Sequence, residues 1–292
     1  MKNENNKLLA GCVILYNPKV FVFKNIESYL DHLDILYVID NSEIIDVQFA
    51  NTLKSVSSKI VYVPQSKNVG IASALNIAAR LAINSKYNWL LTMDQDSYFY
   101  DGEFFDIWLI DIGNDGKIGL LAASYTDEYD RWQRVYSNNF NEIHFAVTSG
   151  NIINLEAWSF TNGFEDKLFI DEVDHDYCLK LRKYKYKILT SKKILMGHMI
   201  GEFHETESKA IGEKKKLILH NPSRYYYMSR NVLYVCKRYF FTDVKFVLSR
   251  FYYLIKMLGK MILIYPEKLT YLKFFLRGVR DFALSKYDKY NP

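Results

Sequence analysis

Two aspartates one residue apart, Asp94 and Asp96 in "LLTMDQDSYF" (90–99), close a run of apolar residues. Carboxylates at that spacing repel unless something positive sits beside them. Two readings stand: a solvated turn, since Asp and Ser favour turns, and a divalent cation, whose preferred ligands are carboxylate oxygens. A second group, Asp171, Glu172, Asp174 and Asp176, crowds into six positions before a helical stretch. A helix N-terminus accounts for one or two acids. Mutual repulsion makes it a weaker account of four, so one of them held as a general base is the alternative. Tyr16-Asn17-Pro18, Asp40-Asn41-Ser42 and Asn68-Val69-Gly70 are further polar clusters.

The elements that carry these groups follow from hydrophobic pattern. "LLAGCVILY" (8–16), "ILYVID" (35–40), "KIVYVP" (59–64), "NWLLTMD" (88–94) and "IGLLAAS" (118–124) read as buried strands. Between them, "VFVFKNIESYLDHL" and "IASALNIAARLAIN" place apolar residues at helical spacing. Strands alternating with helices predict an α/β fold with a mostly parallel sheet covered on both faces. Ligands of such sheets gather beyond the carboxyl ends of the strands, and four polar clusters fall on that one predicted edge. Asn68-Val69-Gly70 opens a helix whose free amides suit a phosphate or another polar ligand. Neither a Walker A sequence nor GxGxxG follows the first strand. A bound nucleotide diphosphate therefore needs another counter-charge, which a metal on Asp96 would supply.

Composition bounds the classes. The 292 residues suffice for one substantial core and a smaller appendage. With 49% hydrophobic residues and five prolines, the composition argues against disorder. Cys12, Cys178 and Cys236 lie far apart with no CxxC spacing, which is neither a disulfide framework nor a zinc site and suits a reducing cytoplasm. The apolar run near the N-terminus is too short for a signal peptide, and no stretch approaches the ~20 apolar residues of a membrane span. The net charge of +5 hides an asymmetry. From Lys214 onward there are 17 basic and 4 acidic residues, against 21 basic and 29 acidic before it.

In chain order, "VILYNP", "VIDNS", "KNVGIASALN", "LLTMDQDS", "TSGNIIN", "GFEDKLFIDEVDHDYCLKLR" and "GHMIG" resemble the family 2 glycosyltransferases of GT-A fold, in their bacterial rhamnosyltransferase-like branch. The similarity runs through residues 8–205, and "HNPSRYYYMSRN" (220–231) extends it. The resemblance implies a Rossmann-like nucleotide-sugar-binding domain, residues 1–220, followed by a helical region, residues 221–292. It implies that the Asp-x-Asp element holds Mg²⁺ or Mn²⁺ against the donor diphosphate, with Asp96 the direct ligand and Asp94 facing the metal, ribose or donor sugar. His198 would complete the metal shell, with His204 the competing histidine. Asp40 would read the pyrimidine base, Tyr16, Asn17 and Pro18 would line base and ribose, and Lys67, Asn68, Gly70 and Gln95 would contact the nucleotide. Many relatives carry Arg at the place of Lys67. Asp174 would be the base that deprotonates the acceptor, with Asp171 in reserve; Val173 stands where many relatives have Glu.

The implied activity is inverting transfer of a sugar, foremost L-rhamnose from dTDP-L-rhamnose, to a glycan or lipid-linked acceptor in surface polysaccharide synthesis. The alternatives are a UDP-sugar donor (galactose, galactofuranose or N-acetylglucosamine) or a catalytically silent sugar-nucleotide-binding subunit of a membrane complex. The basic, aromatic-rich stretches of residues 221–289 have three readings: amphipathic helices on an anionic membrane, packing on the enzyme with solvated charges, and nucleic-acid binding. The first is favoured, with the protein peripheral on the inner face of the cell membrane and no nucleic-acid partner.

Overall fold

All seven residues of Leu9–Leu15 are buried, as a central parallel strand covered on both faces requires. They form β1. The computed structural model describes residues 8–111, 116–125, 134–198, 204–207, 214–217 and 219–290. The chain divides into two compact units, Met1–Asp166 with Val173–Met199, and Lys167–Glu172 with Ile200–Pro292.

In the first unit the chain runs from β1 through α1 (Phe21–Leu30), β2 (Ile35–Asp40), α2 (Val47–Val56), β3 (Ile60–Pro64) and α3 (Ile71–Asn84) to β4 (Trp89–Asp94). β1 lies parallel to β2 on one side and β4 on the other, and β3 continues the sheet beyond β2. The register aligns their carboxyl ends: Leu15 faces Asp40, Ile14 faces Asp94, and Asp40 faces Pro64. Three polar clusters far apart in sequence thus reach one edge.

The chain continues through β5 (Ser97–Phe99), α4 (Glu103–Asp111), β6 (Ile118–Ser124), β7 (Arg134–Val135), β8 (Phe140–Glu142), β9 (Asn151–Asn154), α5 (Leu155–Phe160), α6 (Val173–Lys183), β10 (Lys187–Ile194) and β11 (Met196–His198). Among the described residues the sheet order is β3-β2-β1-β4-β9-β6-β10-β8-β7. β9 is antiparallel to β4 and β6, while β10 returns parallel to β6. The short pair β5–β11 stands apart and sets His198 opposite Ser97 along the backbone. The core joins Val13, Leu91, Leu121, Ile152 and Leu189 to Phe99, Phe104 and Trp108. Each such aliphatic side chain contributes about 1.5–3 kcal/mol by leaving water. The α/β expectation holds, including all five strands read from the sequence.

The second unit holds the hairpin β12 (His204–Glu207) and β13 (Lys214–Leu217), then α7 (Pro222–Tyr239), α8 (Val244–Leu263) and α9 (Lys268–Ala283). Asn221 caps α7 ahead of Pro222, and Asp243 caps α8, so both starts carry ordinary helix signals. α7 buries Tyr225, Tyr226 and Tyr227 in succession, which a helix does only when it is surrounded on most sides. Gly278 of α9 permits the closest approach: a Cβ there would lie 2.1 Å from Ser229 Oγ and 2.3 Å from the Tyr226 carbonyl. Among the described residues no helix is long and apolar enough to cross a membrane. Cys12, Cys178 and Cys236 are buried and free.

Candidate active site

The edge is tied together by side chains that bond the backbone of neighbouring loops. Gln95 extends from the end of β4 to Tyr16 after β1. Its Oε1 accepts the Tyr16 N–H at 2.9 Å and its Nε2 donates to the Tyr16 carbonyl at 3.2 Å. A side-chain amide thereby continues the ladder one step past the strands, and Gln95 positions Tyr16. The Asn17 N–H donates to Ser42 Oγ at 2.8 Å, joining the loops after β1 and β2. The Asn41 N–H donates to the Leu15 carbonyl, and its Nδ2 donates to the Gly70 carbonyl at 3.2 Å.

Asp40 is 1% exposed. Its Oδ1 accepts the Ser42 N–H, and its Oδ2 accepts the Tyr62 hydroxyl. It shapes the loop that presents Asn41 to Glu43. The Tyr62 phenol is pushed well up by burial first and by Asp40 second. Tyr16 is exposed at the edge, with its hydroxyl beside Glu43, Asn17 and Asn68. Burial, then the Glu43 charge, raise its pKa. Pro18 is half-buried beside this group, and Lys67 is exposed on the loop before α3. α2 and α5 are capped by Asp46 and Asn154. α3 instead begins at Gly70 with no side-chain cap, and Asn68 Oδ1 accepts the Gly70 N–H. Glu43 is the member of this cluster that sequence reasoning missed; one position after Ser42, it was within reach of the same argument.

Asp94 and Asp96 are half-buried on either side of Gln95, Asp94 at the end of β4 and Asp96 in the turn to β5. The Asp94 N–H donates to Ser149 Oγ at 2.9 Å, and the Asp94 charge adds to burial in raising the Cys12 thiol. Ser149 precedes Gly150, whose N–H bonds the Thr92 carbonyl and whose carbonyl accepts from Ala123. At φ +77° and with a virtual Cβ 2.2 Å from Met196 Sδ, position 150 strongly favours glycine. Ser149 lies within "TSGNIIN" and was not singled out from sequence; its partner is 55 residues away. The His198 backbone pairs with Ser97, next to Asp96. Met199–Gly201 of "GHMIG" lie outside the described residues, as do the side chains of His198, expected to complete the metal shell, and His204.

Paired carboxylates are donors that suit Mg²⁺ or Mn²⁺, with phosphate and water oxygens to complete the shell. Among the described residues no group of three or more His, Cys, Asp or Glu is placed to enclose a metal by protein alone. The pair fits a cation carried with a diphosphate.

Loop 143–149 links this edge to α6. Ser149 meets Asp94, while Phe145 packs edge-on against His175 at 5.2 Å and the Ala146 carbonyl receives Cys178 Sγ at 3.8 Å. The four acids seen in the sequence have separate fates. Asp171 holds Arg224 at 2.9 Å and Glu172 holds Arg250, both within the helical unit. Asp176, fully buried, meets Lys180 at 3.1 Å one turn along α6, and Lys180 also donates to the Gly163 carbonyl. Asp174 lies in the first turn of α6 with its side chain 25% exposed, and its Oδ1 accepts the His175 N–H. Among the described residues it is the acid of the four that no lysine or arginine neutralises. A carboxylate that is partly open to solvent and, among the described residues, carries no lysine or arginine has what a general base requires.

A mostly parallel sheet carrying a polar carboxyl edge with paired acids, and followed by helices, defines a GT-A-like nucleotide-sugar-binding fold. The family model "Glycosyl transferase family 2" matches residues 12–190, so the chain belongs to glycosyltransferase family 2 and is a glycosyltransferase. A dTDP-rhamnosyl transferase, RfbF of Shigella flexneri, is 24% identical over 255 residues, covering 80% of this chain and 81% of that protein. Among solved structures, S. aureus TarS 1–349 in complex with UDP-GlcNAc superposes with a TM-score of 0.61 at 14% identity, over 96% of this chain and 82% of that one. GalNAc-T7 with UDP, GalNAc and Mn²⁺ gives 0.57 at 13% identity over 67% of this chain. The chain spans 44% of the length of GalNAc-T7.

Proposed function

We propose that the protein is an inverting, divalent-cation-dependent glycosyltransferase that moves L-rhamnose from dTDP-L-rhamnose to a hydroxyl of a growing surface glycan. The acceptor in this reading is a glycan or lipid-linked chain, and the enzyme works as a peripheral protein at the inner face of the cell membrane. Residues 1–220 carry the chemistry and residues 221–292 bring it to the acceptor. The observation that carries the reading is the contrast between Asp174 and its three ion-paired neighbours, on an α6 that packs against the loop bonded to Asp94. The named rhamnosyl transferase relative supports the donor.

The Asp174 carboxylate takes the acceptor proton as the acceptor oxygen attacks the anomeric carbon. The bond from that carbon to the diphosphate oxygen breaks on the opposite face, and the nucleoside diphosphate leaves with the electron pair. Attack from the far face inverts the anomeric configuration. Tyr16, Asn17 and the Asn41–Glu43 loop receive the base and ribose, with Asp40 holding that loop in shape and Gln95 holding Tyr16. Asn68, Gly70 and Lys67 sit at the uncapped start of α3, where free amides and a cation favour a phosphate. Asp96 and Asp94, with His198 as a further ligand, would hold Mg²⁺ or Mn²⁺, which supplies charge neutralisation for the leaving diphosphate.

The test is a donor screen by thermal shift and donor hydrolysis, using dTDP-rhamnose and UDP-galactose, UDP-galactofuranose and UDP-N-acetylglucosamine, with and without Mn²⁺. A ligand at about 100 times its Kd stabilises by about 2.7 kcal/mol, a readable shift. The expected result is cation-dependent stabilisation by dTDP-rhamnose. Stabilisation by a UDP-sugar alone moves the donor assignment, and binding without hydrolysis or transfer leaves a silent binding subunit.

A further inference from the structure

α8 is apolar on two sides. One side, with Phe246, Val247, Leu254, Met257 and Met261, is buried. Leu248, Phe251, Tyr252, Ile255, Ile262 and Leu263 are 39–69% exposed. At about 100° per residue these six fall within about a third of the helix circumference, roughly opposite the buried side, and they run nearly the full length of about 30 Å. Phe241, 91% exposed, stands just before the helix. A surface helix of a water-soluble domain ordinarily turns charge to solvent on that side, and a contiguous apolar face marks an interaction surface.

The charges on α8 say what covers it. The helix carries Lys245, Arg250, Lys256 and Lys260 and no acid. Arg250 is engaged with Glu172. Lys245 and Lys256, both exposed, fall along one border of the apolar stripe. Aromatic and aliphatic residues along the middle with cations at the border form the pattern of a helix lying in the headgroup region of an anionic bilayer. A second copy of the chain fits poorly, because pairing two such faces brings only like charges together. A membrane span is excluded by the four cations and by hydropathy.

We infer that the outer face of α8 is the membrane-docking surface of this protein, with Leu248, Phe251, Ile255 and Ile262 entering the acyl boundary of an anionic bilayer and Lys245 and Lys256 meeting its headgroups. This inference deepens, and rests on, the reading of the enzyme as peripheral to a membrane. It assigns that association to one face of one helix.

The test uses the full-length protein and vesicles of phosphatidylcholine with phosphatidylglycerol at about 3:1, against phosphatidylcholine alone. Retention of wild type on the anionic vesicles is expected, weakening steeply between about 0.1 and about 0.5 M salt as the Debye length contracts. Leu248→Glu with Ile255→Glu should lower retention at least about ten-fold at any salt, and Lys245→Glu with Lys256→Glu chiefly at low salt. Circular dichroism confirms that the variants fold. A milder change, Ile255→Trp, keeps the face apolar and should gain fluorescence quenched by brominated acyl chains beyond the wild-type signal. No retention of wild type overturns the membrane reading itself. Retention of wild type together with unchanged retention of both double variants, or an unquenched tryptophan in the Ile255→Trp variant, overturns the α8 assignment alone. A wild-type dimer that the Leu248→Glu, Ile255→Glu pair converts to monomer, by light scattering, makes the stripe a subunit interface and overturns the proposal.

Discussion

Asn231 holds together the segment just ahead of α6, and its replacement makes the sharpest test of the helical unit. It is fully buried in α7. Its Nδ2 points at three carbonyls, those of Leu168, Ile170 and Asp171, at 2.5, 2.6 and 3.2 Å. Its Oδ1 accepts from Arg230 Nε at 2.9 Å. The segment it holds is strained: Phe169, Asp171 and Glu172 have φ of +59°, +63° and +63°, a region that costs non-glycine residues of order 1–3 kcal/mol each. With two hydrogens on Nδ2, two of the three carbonyl contacts are full hydrogen bonds. Asn231→Ala leaves the Ile170 carbonyl and one Arg230 N–H short of a partner, while the Leu168 carbonyl keeps the Ile170 N–H. At about 1–3 kcal/mol for each buried unsatisfied group, we expect a loss of about 2–6 kcal/mol, a large part of a typical domain's stability. Asn231→Asp separates the amide from the shape. It keeps the acceptor for Arg230 and puts an oxygen where two carbonyls need a donor, so it should cost at least as much as alanine. Urea denaturation followed by far-UV dichroism and by aromatic fluorescence reads both variants, with the two probes checking whether the units unfold together. An Asn231→Asp variant within about 1 kcal/mol of wild type would refute the amide orientation and, with it, the role assigned to Asn231.

Four other changes test the rest. Asp174→Asn keeps size and the His175 contact but cannot take a proton, so transfer should fall about 10²–10⁴-fold with donor binding intact; calorimetry and product formation separate the two, and near-native turnover rejects Asp174 as base. Asp96→Ala should abolish the Mn²⁺-dependent part of nucleotide binding and cut activity roughly 10²-fold or more, which calorimetry with and without Mn²⁺ reads directly. Gly150→Ala places a methyl 2.2 Å from Met196 Sδ at a positive φ, and a drop in stability of about 1–3 kcal/mol by thermal melting is expected. His220 is held below its ordinary pKa of 6.5 by burial and then by Arg224. The unfolded chain therefore binds its proton first as pH falls, and the stability His220 contributes is full above about 6.5 and lost as pH drops toward the lower folded value. Acidification from about pH 7.5 to about pH 5 should cost the wild type more stability than His220→Gln.

The parallel half of the sheet was legible because its strands announce themselves locally. Leu9–Leu15 and Trp89–Asp94 are continuous apolar runs ended by polar residues, and parallel pairing then forces their carboxyl ends to one edge. β9 was harder. "NIIN" is four residues long and antiparallel, and "TSGNIIN" shows neither length nor alternation that marks an insertion between β4 and β6. Its position is set by long-range contacts: the Thr92 hydroxyl donates to the Thr148 carbonyl, and Asn154 Nδ2 to the Ile118 carbonyl. The helical unit was legible as helices and as a charge excess. That residues 167–172 would join it was not, since the cause is a buried amide and two arginines on α7 and α8.

Within the site the same limit decides what sequence can say about the acids. "IDEVDHD" looks like one cluster, and at that level each acid is an equal candidate for base. Asp176 was the one case open to local inference, because Lys180 lies four residues on along α6, the spacing that pairs side chains on one helix face. Asp171 and Glu172 are neutralised from 53 and 78 residues away, by Arg224 and Arg250. No property of the cluster itself distinguishes them from Asp174. The family resemblance put Asp174 first because its position fits a pattern; the pairing adds a physical ground, because among the described residues its three neighbours have a lysine or arginine and Asp174 has only the His175 imidazole at 3.6 Å. If that ground is sound, exchanging the pairing should exchange the chemistry. Arg224→Ala removes the Arg224 cation from Asp171 without touching Asp174, and it should leave the effect of Asp174→Asn on transfer undiminished. Were the double variant to recover transfer lost in Asp174→Asn, Asp171 would be competent as base, and neutralisation by Arg224 would be what keeps it silent.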